Sequence, residues 1–339
     1  MALKPLTIAG GGIAGLALGI ALRRRLVPVR ILEAGAYPRH RVCGEFISGI
    51  QPEELKALGM DITLNMAATP RETVWFDGAR PMLRATMPET AYGLSRHVLD
   101  EALAERFVAA GGELCAQTRF TGDASQEGLV LANGRPQRAS PWLGLKAHFT
   151  ELDLSADLEV HLANAAYVGL TRVEHGHVNV SGLFRRNGPA TGGPQVLSQA
   201  VEEAGLPQLA LRLRGARMVA ASLKGVNRFY LGWQTHRDDT VRIGDAAVMI
   251  PPITGNGMTM AMQGALSAAE PLAAWSRGEM PWRVAGASVA REQRRMFGSR
   301  LRWARFLQWM LLKASGRRIC SGLIAVGCVS FETLYRKVR

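Results

Sequence analysis

Short apolar runs separated by glycines and charged residues open the chain. Leu6–Ala9 is an apolar run of strand length, and a glycine-rich turn at residues 10–15 follows directly. Residues 16–22 are small or apolar throughout, and the three arginines at 23–25 suit the negative end of a helix, so a buried helix is predicted there. A second strand is predicted at Val29–Leu32. The order strand, helix, strand predicts a β-α-β unit with parallel strands.

Alternation of apolar and polar residues appears in two later blocks. In the first, residues 73–76 turn at Asp77 and Gly78 into another short strand. In the second, residues 143–183 contain several strand-like runs with a turn at residues 174–176. Such blocks predict an antiparallel sheet. A final strand is predicted at residues 240–243. Helices are predicted at residues 258–274 and 289–314, which are runs of small, apolar and basic residues.

The glycine turn has the spacing of a dinucleotide-binding fingerprint. Gly10 permits the tight turn, Gly12 lets the backbone approach a pyrophosphate, and Gly15 lets the helix pack closely on the strand. Glu33 lies eighteen residues past Gly15, at the tip of the second strand, where its carboxylate can accept hydrogen bonds from ribose hydroxyls and would repel a 2′-phosphate. The predicted contacts are Gly10, Gly12, Ile13, Ala14, Gly15 and Glu33. This fingerprint alone does not separate FAD from NAD.

A second motif near residue 245 favours a flavin. Asp245 follows the predicted strand at 240–243, and a strand-end carboxylate can hydrogen-bond sugar-type hydroxyls such as a ribityl chain. The loop at residues 251–257 contains two glycines and precedes a helix, so its backbone N–H groups can lie beside an electron-rich ring edge. A reduced flavin carries negative charge at such an edge. The two motifs together predict FAD as the cofactor.

These motifs, with Cys43-Gly44-Glu45 and the stretch at residues 96–100, resemble the p-hydroxybenzoate hydroxylase superfamily of flavoproteins. The resemblance is nearest to the geranylgeranyl reductase subgroup and covers most of residues 1–285. It implies non-covalent FAD, with NAD(P)H as a transient electron donor that has no domain of its own, and no metal. It also implies that Arg41 and Arg96 lie near the pyrophosphate or ribityl chain. The remaining implied FAD contacts are Asp245 on the ribityl chain and Gly255, Asn256 and Gly257 along the isoalloxazine.

The resemblance also gives an expected architecture. We expect an α/β fold in which a Rossmann-type FAD-binding domain carries an inserted antiparallel substrate sheet and ends in a C-terminal helical segment. The FAD-binding domain is expected to be discontinuous, over residues 1–70, 93–138 and 225–285. The substrate sheet is expected over residues 71–92 and 139–224, and the basic helical segment over residues 286–339.

Candidate catalytic residues are few. Cys43 is the one candidate, because the resemblance implies that it faces the flavin. The alternative interpretation is that Cys43 is only a small apolar residue that fills the core. His40 could tether a flavin covalently, but a surface-loop histidine is the favoured interpretation. His148 and His161 alternate within predicted strands and are interpreted as sheet residues. No acid–base pair is recognisable in the sequence.

Three departures from the family patterns limit the predicted reaction. The reductases' Tyr-x-Trp-x-Phe-Pro stretch is absent after Tyr167, the halogenases' tryptophan motif and tunnel lysine are absent, and Val248 stands where aromatic hydroxylases have histidine. We expect an FAD-dependent oxidoreductase that acts on a hydrophobic, isoprenoid- or polyketide-like molecule and reduces an activated C=C by hydride from flavin N5. Hydroxylation by a flavin monooxygenase is the alternative. A non-catalytic flavin- or lipid-binding protein and an NAD-binding protein are the other hypotheses.

Charge changes the picture only at the C-terminus. The net charge is +13, and residues 277–339 hold fourteen Arg and Lys against three Glu. Two interpretations stay open: a helical pair that closes the substrate pocket, or a peripheral contact with an anionic membrane. A nucleic-acid partner is not expected, because no zinc finger, RNP-like motif or basic zipper is present.

Other features of the sequence predict a cytoplasmic protein. Hydrophobic residues make up 47% of the chain and charged residues 20%, which excludes disorder as the main state. The four cysteines show no paired or metal-ligating spacing and are expected to be reduced thiols. No secretory leader is recognisable, and the longest apolar segment, residues 319–331, is too short to span a bilayer.

Overall fold

The five-stranded parallel sheet organises the first part of the molecule. A computed structural model describes residues 2–185, 193–234 and 240–339. The strands of this sheet are β1 (Leu6–Ala9), β2 (Val29–Leu32), β7 (Glu113–Cys115), β8 (Leu129–Leu131) and β15 (Val241–Arg242). Their spatial order is β15-β8-β1-β2-β7, and every neighbouring pair is parallel. The predicted β-α-β unit is confirmed, with both strands at the predicted residues.

A seven-stranded sheet forms the second layer. Its order is β13-β9-β12-β11-β10-β4-β5. All neighbours are antiparallel except β10 and β4, which run parallel. Strand β4 belongs to the hairpin β4–β5, which comes from an earlier part of the chain and forms this edge of the sheet. The strands are β4 (Glu72–Asp77), β5 (Arg80–Thr86), β9 (Trp142–Thr150), β10 (Leu158–Ala163), β11 (Ala166–Arg172), β12 (Val178–Arg185) and β13 (Arg217–Val226). Two small pairs complete the strands: β3 (Phe46–Ser48) with β6 (Ala91–Gly93), and β14 (Gly232–Trp233) with β16 (Val248–Met249).

Helices cover both sheets. The helices are α1 (Ile13–Arg23), α2 (Pro52–Leu58), α3 (Asp61–Leu64), α4 (Arg96–Ala109), α5 (Val196–Glu203), α6 (Pro207–Gly215), α7 (Gly257–Ser276), α8 (Trp282–Leu311), α9 (Ala314–Ala325) and α10 (Phe331–Lys337). Helices α1 and α7 pack together in one apolar core with the parallel sheet. Helices α5 and α6 cover one face of the seven-stranded sheet. Helix α8 and the two helices after it share a third core with the other face.

The C-terminal helices are attached to the seven-stranded sheet by a buried cation. Arg317 on α9 is 5% exposed, and its Nε donates to Asp77 on β4 at 2.6 Å. Its Nη1 donates to the carbonyls of Ala163 and Leu311, each at 3.1 Å. In the sequence, Arg317 is one of the fourteen basic residues of segment 277–339. In the structure its side chain is buried and connects α9 to β4. None of the described helices combines the length and the apolar character that crossing a bilayer requires.

Candidate functional site

A cavity of about 590 Å³ lies between the parallel sheet and the seven-stranded sheet, and we call it the main cavity. All the residues predicted to bind the cofactor line it except Gly15 and Asn256, and Cys43 lines it as well. Residues more than 240 positions apart in the sequence therefore meet in one space, because β1, β2 and β15 end at the same edge of the parallel sheet. The predicted members of the lining are Gly10, Gly12, Ile13, Ala14, Glu33, Arg41, Cys43, Arg96, Asp245, Gly255 and Gly257.

The glycine turn opens the N-terminus of α1 toward this cavity. Gly10 has a φ of +117°, in the region that favours glycine. A Cβ on Gly15 would collide with the carbonyl oxygen of Gly10, so Gly15 supports the turn from behind without lining the cavity. Gly12 caps the helix with no side-chain hydrogen bond. The first backbone N–H groups of α1 can therefore donate hydrogen bonds to a bound anion, which a helix N-terminus favours.

Glu33 holds the rim of the cavity together. Its carboxylate accepts hydrogen bonds from the backbone N–H groups of Gly11 and Gly35, each at 2.8 Å. It also forms ion pairs with Arg39 and, at 3.4 Å, with Arg41. Burial acts to raise the pKa of Glu33, but these donors outweigh it and the pKa is lowered. The carboxylate is thus ionised and fixed in place by the protein itself.

Arg41 and Arg96 meet at the buried carboxylate of Asp100 on α4. Arg96 donates to both oxygens of Asp100, at 2.7 Å each, and Arg41 Nε lies 3.2 Å from the same group. Together with Arg39, these are three guanidiniums around the two carboxylates Glu33 and Asp100, which leaves a local excess of positive charge on the cavity wall. Such a wall suits an anionic group such as a pyrophosphate.

Asp245 and Asn256 both have hydrogen-bonding capacity that the protein leaves unused. Among the described residues, none donates a hydrogen bond to the Asp245 carboxylate. Enclosure raises the pKa of Asp245, while Arg135 and Arg96 act in the opposite direction. Asn256 is 0% exposed, and neither its amide nitrogen nor its amide oxygen has a partner. Unpaired buried polar groups are uncommon in folded proteins, so Asn256 fits contact with a bound polar molecule. Asp245 is half-buried and lines the main cavity, where its carboxylate can accept hydrogen bonds from such a molecule.

A buried polar cluster forms the wall between the two sheets. Glu45 is 0% exposed and accepts from Lys146 Nζ at 3.0 Å, from His148 Nε2 at 2.5 Å and from the backbone N–H of Arg96 at 3.0 Å. Lys146 Nζ also lies 3.3 Å from His40 Nδ1. We name Glu45, Lys146, His148 and His40 the Glu45 cluster. The cluster has no sequence signature, because its two halves, His40 with Glu45 and Lys146 with His148, are about a hundred residues apart and meet only when β9 packs on the loop before β3.

The Glu45 cluster corrects the interpretation of two histidines. His40 lies in a loop, as expected, but it is half-buried and lines the main cavity, with its ring 4.6 Å from the ring of His97. His148 is a sheet residue as expected, but it is also a partner of Glu45. Burial and the neighbouring Lys146 lower the pKa of His40 to about 4, so the imidazole is neutral near pH 7. Burial acts to raise the pKa of Glu45, but His148 and Lys146 lower it further than burial raises it.

His40, Glu45 and His148 have the ligand types and spacing of a metal site. The ammonium of Lys146 already lies within hydrogen-bonding distance of Glu45 and His40. A second cation at the same place would meet strong repulsion. We therefore interpret the cluster as an internal ion pair with its hydrogen-bond partners.

Cys43 is tied down beside the cluster. Its carbonyl accepts from the Asn179 side chain at 3.0 Å, and its sulfur accepts from the backbone N–H of Glu45 at 3.4 Å. Burial raises the pKa of the Cys43 thiol. The sulfur at the cavity wall is therefore protonated under both the flavin-facing and the filler interpretations. A protonated thiol is a weak nucleophile.

A second, smaller space of about 140 Å³ adjoins the main cavity, and we call it the apolar pocket. The two spaces share Gly44, Phe46, Pro252 and Gly255. The other walls of the pocket come from β4, β5, β10 and β11 and from the C-terminal helices α8, α9 and α10. The arrangement places a hydrophobic compartment directly against the loop that was predicted to line an isoalloxazine ring.

Comparisons with known proteins agree on the architecture. No family model matches the chain, and no curated protein sequence matches it. Among solved structures, PqsL of P. aeruginosa in complex with 2-aminobenzoylacetate has a TM-score of 0.72 at 16% identity, over 96% of this chain and 100% of that chain. The flavin-dependent brominase Bmp2 has a TM-score of 0.75 at 16% identity, over 99% and 94%. CtdE in complex with FAD and a substrate has a TM-score of 0.69 at 14% identity, over 92% and 90%.

The likeness spans nearly the whole of each chain at low sequence identity. It includes both sheets and the C-terminal helices in the expected order, so the expected fold class is confirmed. A special likeness to geranylgeranyl reductases is not among these findings. The chain has the fold of the flavin-dependent enzymes to which it is similar.

Proposed function

We propose that this protein is an FAD-dependent oxidoreductase that acts on an apolar small molecule. The observation that carries the proposal is the convergence of two distant glycine motifs on one cavity that opens onto the apolar pocket. The residues fit FAD, because the cavity offers an uncapped helix N-terminus, a positive wall at Arg41 and Arg96, and the Asp245 carboxylate, with the unpaired amide of Asn256 in the adjoining loop. Crystallised CtdE, which contains FAD, supports the same cofactor.

Each part of the cavity would serve a different part of FAD. The N-terminus of α1 and the Arg41–Arg96 wall would bind the pyrophosphate, and Asp245 would accept hydrogen bonds from the ribityl hydroxyls. Gly255, Asn256 and Gly257 would line the isoalloxazine. Bound flavin supplies two-electron redox chemistry. NAD(P)H as the donor stays part of this proposal, as does the flavin-facing position of Cys43.

Of the two reactions expected, monooxygenation has the stronger support. The similar structures include an oxygenase of 2-methyl-3-hydroxypyridine-5-carboxylic acid and the brominase Bmp2, and the PqsL structure contains an aromatic ligand. The apolar pocket would position the substrate and exclude water from it. Reduction of an activated C=C is the second candidate, and the Cys43-Gly44-Glu45 stretch at the pocket entrance supports it.

We expect the purified protein to bind FAD without a covalent bond. The flavin should appear in the supernatant after acid precipitation, because the Cys43 thiol at the cavity wall is protonated and the His40 ring lies within hydrogen-bonding distance of Lys146 in the Glu45 cluster. Absorbance spectra before and after precipitation measure this. Protein that is colourless and cannot be reconstituted with FAD would disprove the proposal, and a yellow pellet would disprove its non-covalent form.

We further propose a peripheral contact with anionic membranes. An open groove of about 920 Å³ is lined by α8, α9 and residues 229–231, and its walls carry Arg305, Lys313 and Arg318 beside Trp309. Trp309 is 58% exposed, and Phe306 stacks on it at 6.3 Å. Exposed aromatics among basic side chains are typical of surfaces that rest on a lipid–water interface.

Full-length protein should co-sediment with vesicles that contain phosphatidylserine at low salt and dissociate as salt rises, since each basic residue near the surface contributes about 1 kcal/mol. Phosphatidylcholine vesicles should bind far less. Changing Arg305 and Arg318 to Glu should abolish pelleting, whereas the same change at Arg291 and Arg295, exposed at the other end of α8, should not. Equal pelleting of both double variants would show that this groove is not the contact.

A further inference from the structure

The apolar pocket contains two hydrogen-bond donors that the protein does not satisfy. Trp75 on β4 lines the pocket, and its buried Nε1–H has no acceptor. Arg339 lines the same pocket, and its buried Nε has no acceptor either. The rest of the lining is mostly hydrocarbon, including Met82, Val160, Leu307 and Leu311. Unused donors therefore stand out in an otherwise apolar compartment.

Arg339 is a cation without an ionic partner. Its Nη1 donates to the Thr254 carbonyl at 2.9 Å, and its guanidinium lies 4.2 Å from the ring centroid of Tyr335. Within the described ranges, no carboxylate forms an ion pair with it; the closest acidic influence is Glu89, which accepts from the Tyr335 hydroxyl at 2.7 Å. Arg300 is close enough to act as a like charge. Arg339 therefore brings to the pocket a positive charge that no side-chain carboxylate of the described residues contacts directly.

Thr254 connects this cation to the predicted flavin loop. It belongs to residues 251–257, and Thr254 and Gly255 both line the pocket. Side chains continue from there along one wall: Trp75 meets Phe331 at 6.5 Å, and Phe331 meets Tyr335 at 5.8 Å. The two donors thus stand on an aromatic wall that can contact a flat or apolar ligand body.

Leaving the Nε–H of Arg339 and the indole N–H of Trp75 buried without acceptors is unfavourable, and a bound acceptor removes that cost. We propose that the substrate is an apolar molecule with one acidic oxyanion, a carboxylate or an ionised enol or phenol, which Arg339 and Trp75 bind. Arg339 supplies the charge and Trp75 a neutral hydrogen bond. This proposal rests on the proposed function, because it assigns the ligand of the pocket beside the FAD cavity.

A matched pair of probes tests the proposal: 2-naphthoate, and 2-naphthamide, which keeps the shape and an acceptor oxygen but has no charge. Calorimetric titration of FAD-loaded protein should show naphthoate binding about tenfold or more tightly than naphthamide, since charge-assisted hydrogen bonds are the stronger ones. Arg339→Gln should abolish this preference and change naphthamide affinity by less than about threefold. Trp75→Phe should weaken both probes by several-fold while keeping the preference, because it removes only a neutral donor.

Two control variants locate the charge. Arg336→Gln alters an exposed arginine that pairs with Glu332 on the same helix, and Arg305→Gln alters the outer groove. Neither should change the preference. Equal binding of the two probes to the parent, or a preference that survives Arg339→Gln or disappears in Arg305→Gln, would overturn the proposal.

Flavin content, measured by absorbance on the same samples, separates this inference from the proposed function. FAD-loaded protein with no charge preference would overturn the inference alone. Protein that takes up no FAD but prefers naphthoate in an Arg339-dependent way would support the inference and overturn the proposed function alone.

Discussion

Lys146→Met is expected to lower the free energy of unfolding by about 3–5 kcal/mol, the usual effect of removing one partner of a buried ion pair. The Lys146 and Glu45 side chains are both 0% exposed and lie 3.0 Å apart. Methionine fills much of the same volume, so the loss would come from the carboxylate left without its ammonium. Urea unfolding followed by circular dichroism and tryptophan fluorescence measures the change.

Lys224→Met is the matched control for this prediction. Lys224 lies directly opposite Lys146 in the β13–β9 ladder but is exposed, so the same substitution should change stability by no more than about 0.5 kcal/mol. The double variant Lys146→Met, Glu45→Gln should be less destabilised than the sum of the single variants, since neither charge then remains unpaired. Identical unfolding midpoints for Lys146→Met and Lys224→Met would show that the pair contributes nothing.

Glu33→Ala and Asp245→Ala are expected to weaken FAD binding in two different ways. Without flavin, Glu33→Ala should destabilise the protein by about 3–5 kcal/mol, because Arg39 and Arg41 and two backbone N–H groups lose a shared acceptor. Asp245→Ala should leave the flavin-free protein within about 1 kcal/mol of the parent, because no described residue hydrogen-bonds that carboxylate. Its FAD affinity should still fall about 10- to 100-fold, the value of a charge-assisted hydrogen bond.

Unfolding of flavin-free protein and FAD titration by fluorescence quenching together separate these effects. Glu127→Ala, at an exposed position away from the cavity lining, should change neither quantity. If Asp245→Ala were as destabilised without flavin as Glu33→Ala, then Asp245 would have a structural role and its assignment to the ribityl chain would lose its basis.

Local patterns predicted the parts of the fold that depend on neighbouring residues. The strands β1 and β2, the long helix α7 and the hairpin at Asp77 and Gly78 are at or close to the predicted positions, because period and turn chemistry are local properties. The convergence of Glu33 and Asp245 on one cavity followed from the fingerprint and the order of the strands. Their different surroundings did not, since Glu33 forms direct ion pairs with Arg39 and Arg41, whereas the described arginines near Asp245 form no direct ion pair with it.

Contacts between distant segments explain what the sequence did not predict. Glu45, Lys146 and His40 carry no spacing signal, because the loop before β3 meets β9 only through the packing of the two sheets. Arg317 looks like one of many arginines in a basic segment, yet it reaches Asp77 and is buried. Burial of a long polar side chain depends on its partner, and a partner 240 residues away leaves no local pattern.

The two compartments draw their walls from different parts of the chain. The main cavity is lined chiefly by the parallel sheet and its loops, with a contribution from residues 224–226 of β13, whereas α8, α9 and α10 supply much of the apolar pocket. The two linings have only Gly44, Phe46, Pro252 and Gly255 in common. Substitutions on the three C-terminal helices can therefore reshape the apolar pocket, the proposed substrate compartment, while the lining of the main cavity stays intact. Such a division allows the pocket to be altered through residues 282–339 without a change in the parallel sheet, because function resides in sites carried by a fold that itself need not change.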